Sequence, residues 1–229
     1  MSPRKRFALI TGSGRGLGRE LAIVFARNGY DIILHGRNKK NLARTKAEIG
    51  NEGAVCDLCA ADLRTAGGLR KIYRTIRSRE IVVFVNNAGV HCPHLGLEEI
   101  TDGQIDEMII TNLTAPIKLS REIYRKFLKK SAGTLININS VCGLEARGLR
   151  TIYAASKWGL RGFSESLRLE AAEKGIRIID VYPTRIRTKP VFREGMSPKT
   201  VAQKIFDFFR NTDSSRLMLD EREFVKRQK

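Results

Sequence analysis

A tyrosine and a lysine stand four residues apart in the segment Tyr153-Ala-Ala-Ser-Lys157. The segment falls near the start of a long predicted helix, where positions i and i+4 share one face, so the phenol and the ammonium can act on one spot. A phenol has a reference pKa of about 10, and a nearby positive charge that stabilises the phenolate makes it a better acid near neutrality. The pair predicts proton transfer, although this spacing alone is common by chance.

Two further groups of polar residues follow predicted strands. Ser140 comes directly after the strand at 134–139, and Asn86-Asn-Ala-Gly89 closes the strand at 81–85. Ligands of parallel sheets bind beyond the carboxyl ends of the strands, so we expect these groups to lie at one edge together with Tyr153.

A glycine-rich turn, Thr11-Gly-Ser-Gly-Arg-Gly-Leu-Gly18, joins the first predicted strand to the first predicted helix. Glycines there allow tight backbone angles and let N–H groups approach a pyrophosphate at the helix N-terminus. The spacing of Gly12, Gly16 and Gly18 is T-G-x-x-x-G-x-G, and its place after the first strand of an alternating chain favours a nucleotide site.

The end of the second predicted strand indicates which nucleotide. An acidic residue there would bind the ribose 2′-hydroxyl of NAD, but the chain has His35-Gly36-Arg37. Arg15 lies within the glycine turn, and two guanidinium groups suit a 2′-phosphate. We therefore expect NADP(H) rather than NAD(H); the alternative is that Arg37 only caps a solvated loop.

In order and spacing, these motifs resemble the short-chain dehydrogenase/reductase family, in its tyrosine-dependent, single-domain branch. The resemblance covers about residues 5–190 and is carried by Thr11 to Gly18, Asp62-Leu63, Asn86 to Gly89, Asn112, Ser140, Tyr153, Lys157, and Pro183 with Thr188. It implies a seven-stranded Rossmann-type sheet and hydride transfer between NAD(P)(H) and a carbonyl/alcohol pair.

The resemblance also implies roles for four catalytic residues. Tyr153 would be the general acid/base, and Lys157, with the positive nicotinamide ring of the oxidised complex, would stabilise its phenolate. Ser140 would hydrogen-bond the substrate oxygen, and Asn112 would tie Lys157 through water to a proton relay.

On the cofactor side, Asp62 would contact adenine, Asn87 would line the ribose channel, and Ile186 and Thr188 would hold the nicotinamide carboxamide. The full implied set is Gly12, Ser13, Arg15, Gly16, Leu17, Gly18, Arg37, Asp62, Leu63, Asn87, Ala88, Gly89, Tyr153, Lys157, Pro183, Ile186 and Thr188. One residue departs from the family pattern, because Thr184 stands where the family usually has glycine after the proline.

Strands alternate with helices along the 229 residues, which predicts one α/β domain over 1–229. Its fold would be doubly wound, with a mostly parallel sheet of about seven strands covered by helices on both faces. Strands are predicted at 7–10, 30–35, 55–61, 81–85, 134–139, 176–182 and 216–219. Helices are predicted at 16–28, 38–50, 67–79, 101–130 with a break near Asn112, 151–174 and about 198–211, followed by a charged tail at 220–229.

The chain is strongly basic, with 42 Lys and Arg against 24 Asp and Glu, a net charge of +18. Such an excess favours anionic partners, but the basic residues are spread out and aromatic residues are 7% of the chain, so nucleic acid is not the expected partner. Apolar runs such as Ile81–Val85 are far shorter than the roughly 20 residues of a membrane span, and no signal peptide is evident. We expect a cytoplasmic protein.

Four cysteines do not suggest a disulfide framework. Cys56-x-x-Cys59 with His91, Cys92 and His94 resembles a zinc pattern, but residues three apart on a strand point to opposite faces, so no metal site is expected.

Three functions are compatible with these features. The leading one is an NADPH-dependent carbonyl reductase acting on a small molecule. A rival is a reductase of 3-oxoacyl groups on an acidic carrier protein, docked by Arg125, Lys126, Lys129 and Lys130, although this cluster is also typical of a solvated helix end. A third, of another class, is a non-catalytic NADP(H) sensor or nucleic-acid-binding protein. The family resemblance suggests a homodimer or homotetramer.

Overall fold

A seven-stranded parallel sheet forms the centre of the computed structural model, which describes residues 6–50, 52–91, 94–188 and 194–221. The strands lie in the order β3-β2-β1-β4-β5-β6-β7, and every pair is parallel. Their bounds are β1 Phe7–Ile10, β2 Asp31–Gly36, β3 Cys56–Ala60, β4 Ile81–Asn86, β5 Gly133–Ile138, β6 Ile176–Pro183 and β7 Arg216–Leu219. The predicted fold class is confirmed.

The helices lie on both faces of this sheet. Their bounds are α1 Gly16–Arg27, α2 Lys39–Gly50, α3 Ala66–Ser78, α4 Asp102–Ile109, α5 Ala115–Leu128, α6 Thr151–Ala171 and α7 Pro198–Asn211. Helices α1, α2 and α7 pack into one apolar cluster, and α3, α5 and α6 pack into a second cluster across the sheet. The central strands are therefore buried on both sides, which explains the continuous apolar runs in the sequence.

The predicted bounds differ from the observed ones mainly at helix ends. Helix α6 was expected to reach Lys174 but ends at Ala171, since Glu173 and Gly175 adopt positive φ angles that terminate a helix. The predicted helix over 101–130 is two helices joined by a π-helical turn at Ile110–Thr114, which contains Asn112, where the break is predicted.

Helix α4 begins with a capping box formed by Thr101 and Gln104. The Thr101 backbone N–H donates to Gln104 Oε1 at 2.9 Å, and the Gln104 N–H donates to Thr101 Oγ1 at 3.3 Å. These reciprocal bonds satisfy donors that a helix start leaves without a partner.

The topology sets where a ligand can bind. The chain reverses its direction of sheet growth between β1 and β4, which are hydrogen-bonded neighbours. In an open parallel sheet this point leaves a crevice at the carboxyl ends of the strands.

Within the described ranges, none of the helices has the length and apolar character needed to cross a membrane.

Candidate active site

Tyr153 and Lys157 lie on consecutive turns near the start of α6, as the spacing predicted. The Lys157 ammonium nitrogen lies 5.8 Å from the centre of the Tyr153 ring. It donates a 2.8 Å hydrogen bond to the carbonyl oxygen of Ile138, the last residue of β5. Because Lys157 is buried, this bond fixes the ammonium at the carboxyl edge of the sheet, beneath the phenol.

Burial shifts the pKa of both groups. It lowers the pKa of Lys157 to about 8, because the charged form loses water. Burial also raises the pKa of Tyr153, an effect opposed by a hydrogen bond with Ser140 and by the positive charge of Arg150. The phenol is thus protonated near neutral pH, which is the form that can give a proton to a substrate oxygen.

Ser140 lies two residues after the end of β5 and acts on the same phenol. Its hydroxyl oxygen accepts a 3.2 Å hydrogen bond from the Cys142 N–H, which caps the short turn at Val141–Gly143. That turn packs tightly on α6, since a Cβ added to Gly143 would come within 3.0 Å of the Lys157 carbonyl oxygen. The serine is therefore held in place by its own loop.

Asn112 lies in the π-helical turn between α4 and α5 and is buried. Its amide bonds both backbone groups of Val90, accepting from the N–H at 2.8 Å and donating to the carbonyl at 2.9 Å. It also donates to Ser156 Oγ at 3.3 Å, on α6. Because these hydrogen bonds occupy the side-chain amide, a proton relay through Asn112 would have to use its main-chain carbonyl oxygen.

The backbone of the glycine turn requires glycine at three positions. Gly12 and Gly16 have φ angles of +68° and +55°, which residues other than glycine rarely adopt. A Cβ at Gly18 would lie 2.3 Å from the Gly12 carbonyl oxygen. The first turn of α1, Gly16-Leu-Gly-Arg19, contains no acidic residue, and within the described residues no side chain caps it. These N–H groups fit an anion.

The turn is fastened to the loop after β4. The Thr11 hydroxyl oxygen accepts hydrogen bonds from the N–H groups of Asn87 and Ala88, at 2.9 and 3.0 Å. The Asn87 side-chain amide donates to the Thr11 carbonyl oxygen at 2.7 Å. On the far side of this loop, a Cβ at Gly89 would lie 3.2 Å from Asn112 Oδ1. The Asn-Asn-Ala-Gly motif thus shapes the crevice as well as lining it.

Ser13 and Leu17, both expected to contact the cofactor, are buried under the turn. The Ser13 hydroxyl accepts from the His35 N–H at 2.9 Å, which joins the turn to the end of β2. Any contact of Ser13 with the cofactor would therefore come from its backbone.

Charged side chains cluster where the adenosine would lie. Arg15 and Arg37 are exposed there. Asp62, expected to contact adenine, forms an ion pair with Arg64 at 2.7 Å, and this bond is the largest cause of its lowered pKa. Arg64 also pairs with Glu107 at 2.7 Å. Leu63 packs below, in the second apolar cluster.

The segment after β6 crosses towards the glycine turn. Thr184, which stands where the family usually has glycine, joins this segment to β7 and to the residues after it. Its hydroxyl accepts a 2.8 Å hydrogen bond from the Glu221 N–H and donates to the Leu219 carbonyl oxygen at 3.3 Å. Ile186 forms a bridge with Met196. Thr188 then lies over the turn, since a Cβ at Gly16 would be 3.3 Å from its Cβ. Pro183, the last residue of β6, starts this segment at the carboxyl edge.

Three side chains at the site were not singled out as catalytic or cofactor-binding residues. Arg64 joins the adenosine-end cluster, and Arg150 and His91 lie beside Tyr153. Arg64 directly follows the Asp62-Leu63 motif, and Arg150 directly precedes α6. These positions next to motif residues are the sequence features that could have identified both arginines as site residues.

The possible zinc pattern is dispersed. Cys56 and Cys59 on β3 belong to different apolar clusters, on opposite faces of the sheet, as the strand spacing predicted. In the described part of the chain no group of three metal-binding side chains occurs. Cys92 lies outside the described residues.

The basic cluster at the end of α5 lies at the opposite edge of the sheet. Lys126, Lys129 and Lys130 line a cleft of about 660 Å³ together with Ile81 and Thr134, at the beginnings of β4 and β5. The length of a six-residue strand, roughly 20 Å, separates this edge from the catalytic one.

These basic side chains also have partners within the protein. The Lys126 ammonium donates to the carbonyl oxygens of Ile76 and Arg79, at 2.6 and 2.7 Å, and Lys130 pairs with Glu80 at 3.2 Å. The observed contacts therefore match a solvated helix end that supports α3.

Comparison with known proteins agrees with this geometry. A family model described as short chain dehydrogenase matches residues 6–194. The 3-oxoacyl-(acyl-carrier-protein) reductase FabG of Vibrio harveyi is 32% identical over 190 residues, covering 82% of this chain and 76% of the relative.

Solved structures show the same architecture. A short-chain dehydrogenase from Sphingobium yanoikuyae in complex with NADPH has a TM-score of 0.85 and 26% identity, over 97% of this chain and 94% of that one. A bulky-bulky ketone specific alcohol dehydrogenase from Comamonas testosteroni has a TM-score of 0.86 and 27% identity, over 97% and 90%.

Proposed function

The chain belongs to the short-chain dehydrogenase/reductase family, and we propose that it is an NADPH-dependent oxidoreductase that reduces a ketone or aldehyde to an alcohol. The observation that carries this proposal is the convergence of Tyr153, Ser140 and Lys157 at the carboxyl edge of the sheet, beside the glycine turn. All three chemical parts of a carbonyl reduction, a proton source, an oxygen-binding group and a nucleotide site, have residues there.

Tyr153 supplies the proton. Its raised pKa keeps the phenol protonated until the carbonyl oxygen gains negative charge and becomes the stronger base. The hydrogen bond with the Ser140 hydroxyl places that hydroxyl where it can also bind the developing oxyanion. When bound, NADPH supplies the hydride to the carbonyl carbon.

Lys157 acts on the phenol by its charge. With a pKa of about 8 it carries a proton at neutral pH, one helical turn below Tyr153. The charge favours the phenolate that remains after proton donation. Asn112 is a positioning residue in this account, because it holds the Val90 loop against Ser156 of α6.

Preference for NADPH is supported by charge at the adenosine end. Arg15 and Arg37 are both exposed there, and the nearest carboxylate oxygen to Arg37 belongs to Glu107 at 3.9 Å, too far for a strong hydrogen bond. A guanidinium so placed can bind a 2′-phosphate. The NADPH complex of the Sphingobium relative supports the same choice.

A second candidate, reduction of 3-oxoacyl groups on an acidic carrier protein, is favoured by the similarity to the Vibrio harveyi reductase. The basic cluster on α5 gives it little support, because that cluster lies at the opposite edge of the sheet. A carrier would need to dock near the catalytic edge instead.

Association with a second copy of the chain would use α5 and α6. Apolar side chains on these helices are exposed, namely Trp158, Leu169 and Leu128. Such exposure on neighbouring helices is consistent with a homodimer or homotetramer, and sedimentation of the purified protein would distinguish these from a monomer.

The proposed function is tested by following NADPH oxidation at saturating cofactor with ketones, aldehydes, quinones and free or carrier-bound 3-oxoacyl thioesters. We expect turnover of at least one carbonyl class with NADPH, and a lower kcat/KM with NADH. A salt-sensitive preference for the carrier-bound thioester would favour the second candidate. Cofactor binding without turnover of any carbonyl would contradict both enzymatic functions and favour a sensor.

A further inference from the structure

A positively charged side chain next to the loop that holds the catalytic serine has no acidic partner among the described residues. Arg150 is the residue directly before α6 and is half-buried. Its positive charge acts on Tyr153, and its guanidinium Nη1 lies 3.7 Å from Cys142 Sγ. Among the described residues, no carboxylate oxygen lies within ion-pair distance of this guanidinium.

Other arginines near Arg150 in the sequence each have a carboxylate partner. Arg147 lies 3.5 Å from a carboxylate oxygen of Glu145. On α6, Arg161 pairs with Glu165 at 2.9 Å, and Arg168 has a carboxylate oxygen at 2.6 Å. Each of these charges is balanced by the protein itself.

The Cys142 sulfur next to Arg150 is a weak hydrogen-bond acceptor. A guanidinium, in contrast, offers five N–H donors. Half-burial of such a group without an acid leaves donors available to a ligand that brings its own negative charge.

Among the described residues, the other side chains that act on the phenol include no carboxylate. The His91 ring lies against the Tyr153 ring, with centres 4.5 Å apart, and is exposed at the mouth of the site. Lys157 lies below the phenol, and Ser140 faces it. The first turn of α6, Thr151-Ile-Tyr-Ala154, is free of acidic residues, so the positive end of the helix dipole adds to the same field.

We propose that the substrate is an oxo acid whose carboxylate is bound by Arg150. This rests on the proposed function, since it places the ketone oxygen at Tyr153. The guanidinium lies 3.7 Å from Cys142 Sγ, and the Cys142 N–H donates to the Ser140 hydroxyl, so a carboxylate on Arg150 would lie on the side of the site where Ser140 binds the ketone oxygen. Arg150 thereby selects the substrate and orients its carbonyl.

The test compares five-carbon 2-, 3- and 4-oxo acids with their methyl esters, which keep the ketone and lose the charge. We expect the wild-type protein to prefer at least one acid over its ester by about tenfold or more in kcat/KM. Arg150→Met should lower kcat/KM for that acid by roughly 10- to 100-fold more than for the ester, since the ester loses only the effect of the Arg150 charge on Tyr153 and the acid also loses a charge-assisted bond. Arg150→Lys should restore part of the preference.

Arg147→Met is the matched control, because this nearby arginine is paired with Glu145, and it should leave the ratio of acid to ester unchanged. A second readout avoids turnover: calorimetric titration of the oxo acid into the protein loaded with NADP⁺, where no hydride is available. Arg150→Met should weaken this binding by about tenfold or more.

Equal loss on acid and ester in Arg150→Met would show a purely structural role and overturn the proposal. So would wild-type esters reduced as well as their acids. If oxo acids bind through Arg150 but no carbonyl is reduced, the proposed function fails and the carboxylate site stands. If neutral carbonyls are reduced and oxo acids neither bind nor react, the carboxylate site fails alone.

Discussion

The Asn87 side-chain amide donates to the carbonyl oxygen of Thr11 at 2.7 Å, across 76 residues of sequence. This bond, with those that the Thr11 hydroxyl accepts, joins the glycine turn after β1 to the loop after β4. The turn that would bind pyrophosphate and the loop that lines the crevice therefore form one rigid unit. Its rigidity depends on Gly18, because a side chain there would meet the same amide.

We expect Gly18→Ala to weaken NADPH binding by at least about tenfold. The added Cβ would lie 2.4 Å from Asn87 Nδ2 and 2.3 Å from the Gly12 carbonyl oxygen, so the turn must shift. Fluorescence titration of NADPH measures the effect. Gly103→Ala, in the first turn of α4 with no atom within 4 Å of the new Cβ, should leave the Kd unchanged. Unaltered binding in Gly18→Ala would show that the turn does not hold the cofactor.

Replacing Arg37 by Asp should lower the ratio of kcat/KM for NADPH to that for NADH by roughly 10- to 100-fold. The substitution removes a charge-assisted bond to the 2′-phosphate and places a negative charge near it. Arg44→Asp makes the same change of charge on the exposed face of α2 and should leave the ratio within about threefold. A ratio that responds equally to both variants would indicate a general field effect and not a phosphate contact.

The pH dependence of activity should report Lys157. Burial lowers its pKa to about 8, so the ammonium is present below this pH and is lost above it. We expect kcat/KM for NADPH to be level below about pH 7 and to fall as pH rises through 8, since kcat/KM reports groups of the free enzyme. Lys157→Met should be slow and should lack this decline, while Lys118→Met, at an exposed position of α5, should keep it. A level wild-type profile up to pH 9.5 would contradict the role of the ammonium.

His35 should make the fold sensitive to acid. Burial at the end of β2 lowers its pKa to about 4, from an unfolded value near 6.5. The unfolded chain thus binds more protons between these values, and the free energy of unfolding falls as pH falls from about 6.5 towards 4. His35→Leu should reduce this fall by about 2 kcal/mol, measured by urea denaturation at pH 7 and pH 4.5, and the exposed His94→Leu should not. The same acid sensitivity in His35→Leu would assign it to other groups.

The alternation of strands and helices could be predicted because the strands are buried on both faces. Phe7–Ile10 is buried at every position, and such runs are visible in the sequence without knowledge of their neighbours. The placement of Ser140 and Tyr153 at one edge followed from topology, since the carboxyl ends of parallel strands coincide.

Other features depended on contacts between distant segments. Asn86, Asn137 and Asp180 lie side by side on β4, β5 and β6, an arrangement set by strand register and not by local pattern. The Asn86 amide donates to Asn137 Oδ1 at 2.9 Å. Buried polar residues of this kind have no periodic signal.

The partners of the basic side chains were the least predictable feature of the structure. The basic cluster on α5 and the arginine before α6 are alike in the sequence. Lys126 is nevertheless bonded to α3, while Arg150 lies against Cys142 without an acidic partner among the described residues. Which charges are balanced within the protein depends on side-chain packing, which the spacing of residues does not determine.

The most direct test of the account is the turnover of Tyr153→Phe, which removes one hydroxyl from the site. The variant should bind NADPH with a Kd within about threefold of the wild type and reduce its carbonyl substrate about 100- to 10,000-fold more slowly, because general acid catalysis is lost. Tyr124→Phe, whose hydroxyl donates to the Glu170 carbonyl at 3.1 Å far from the crevice, should react at the wild-type rate. Turnover of Tyr153→Phe near the wild-type rate would contradict the assignment of this phenol as the proton donor.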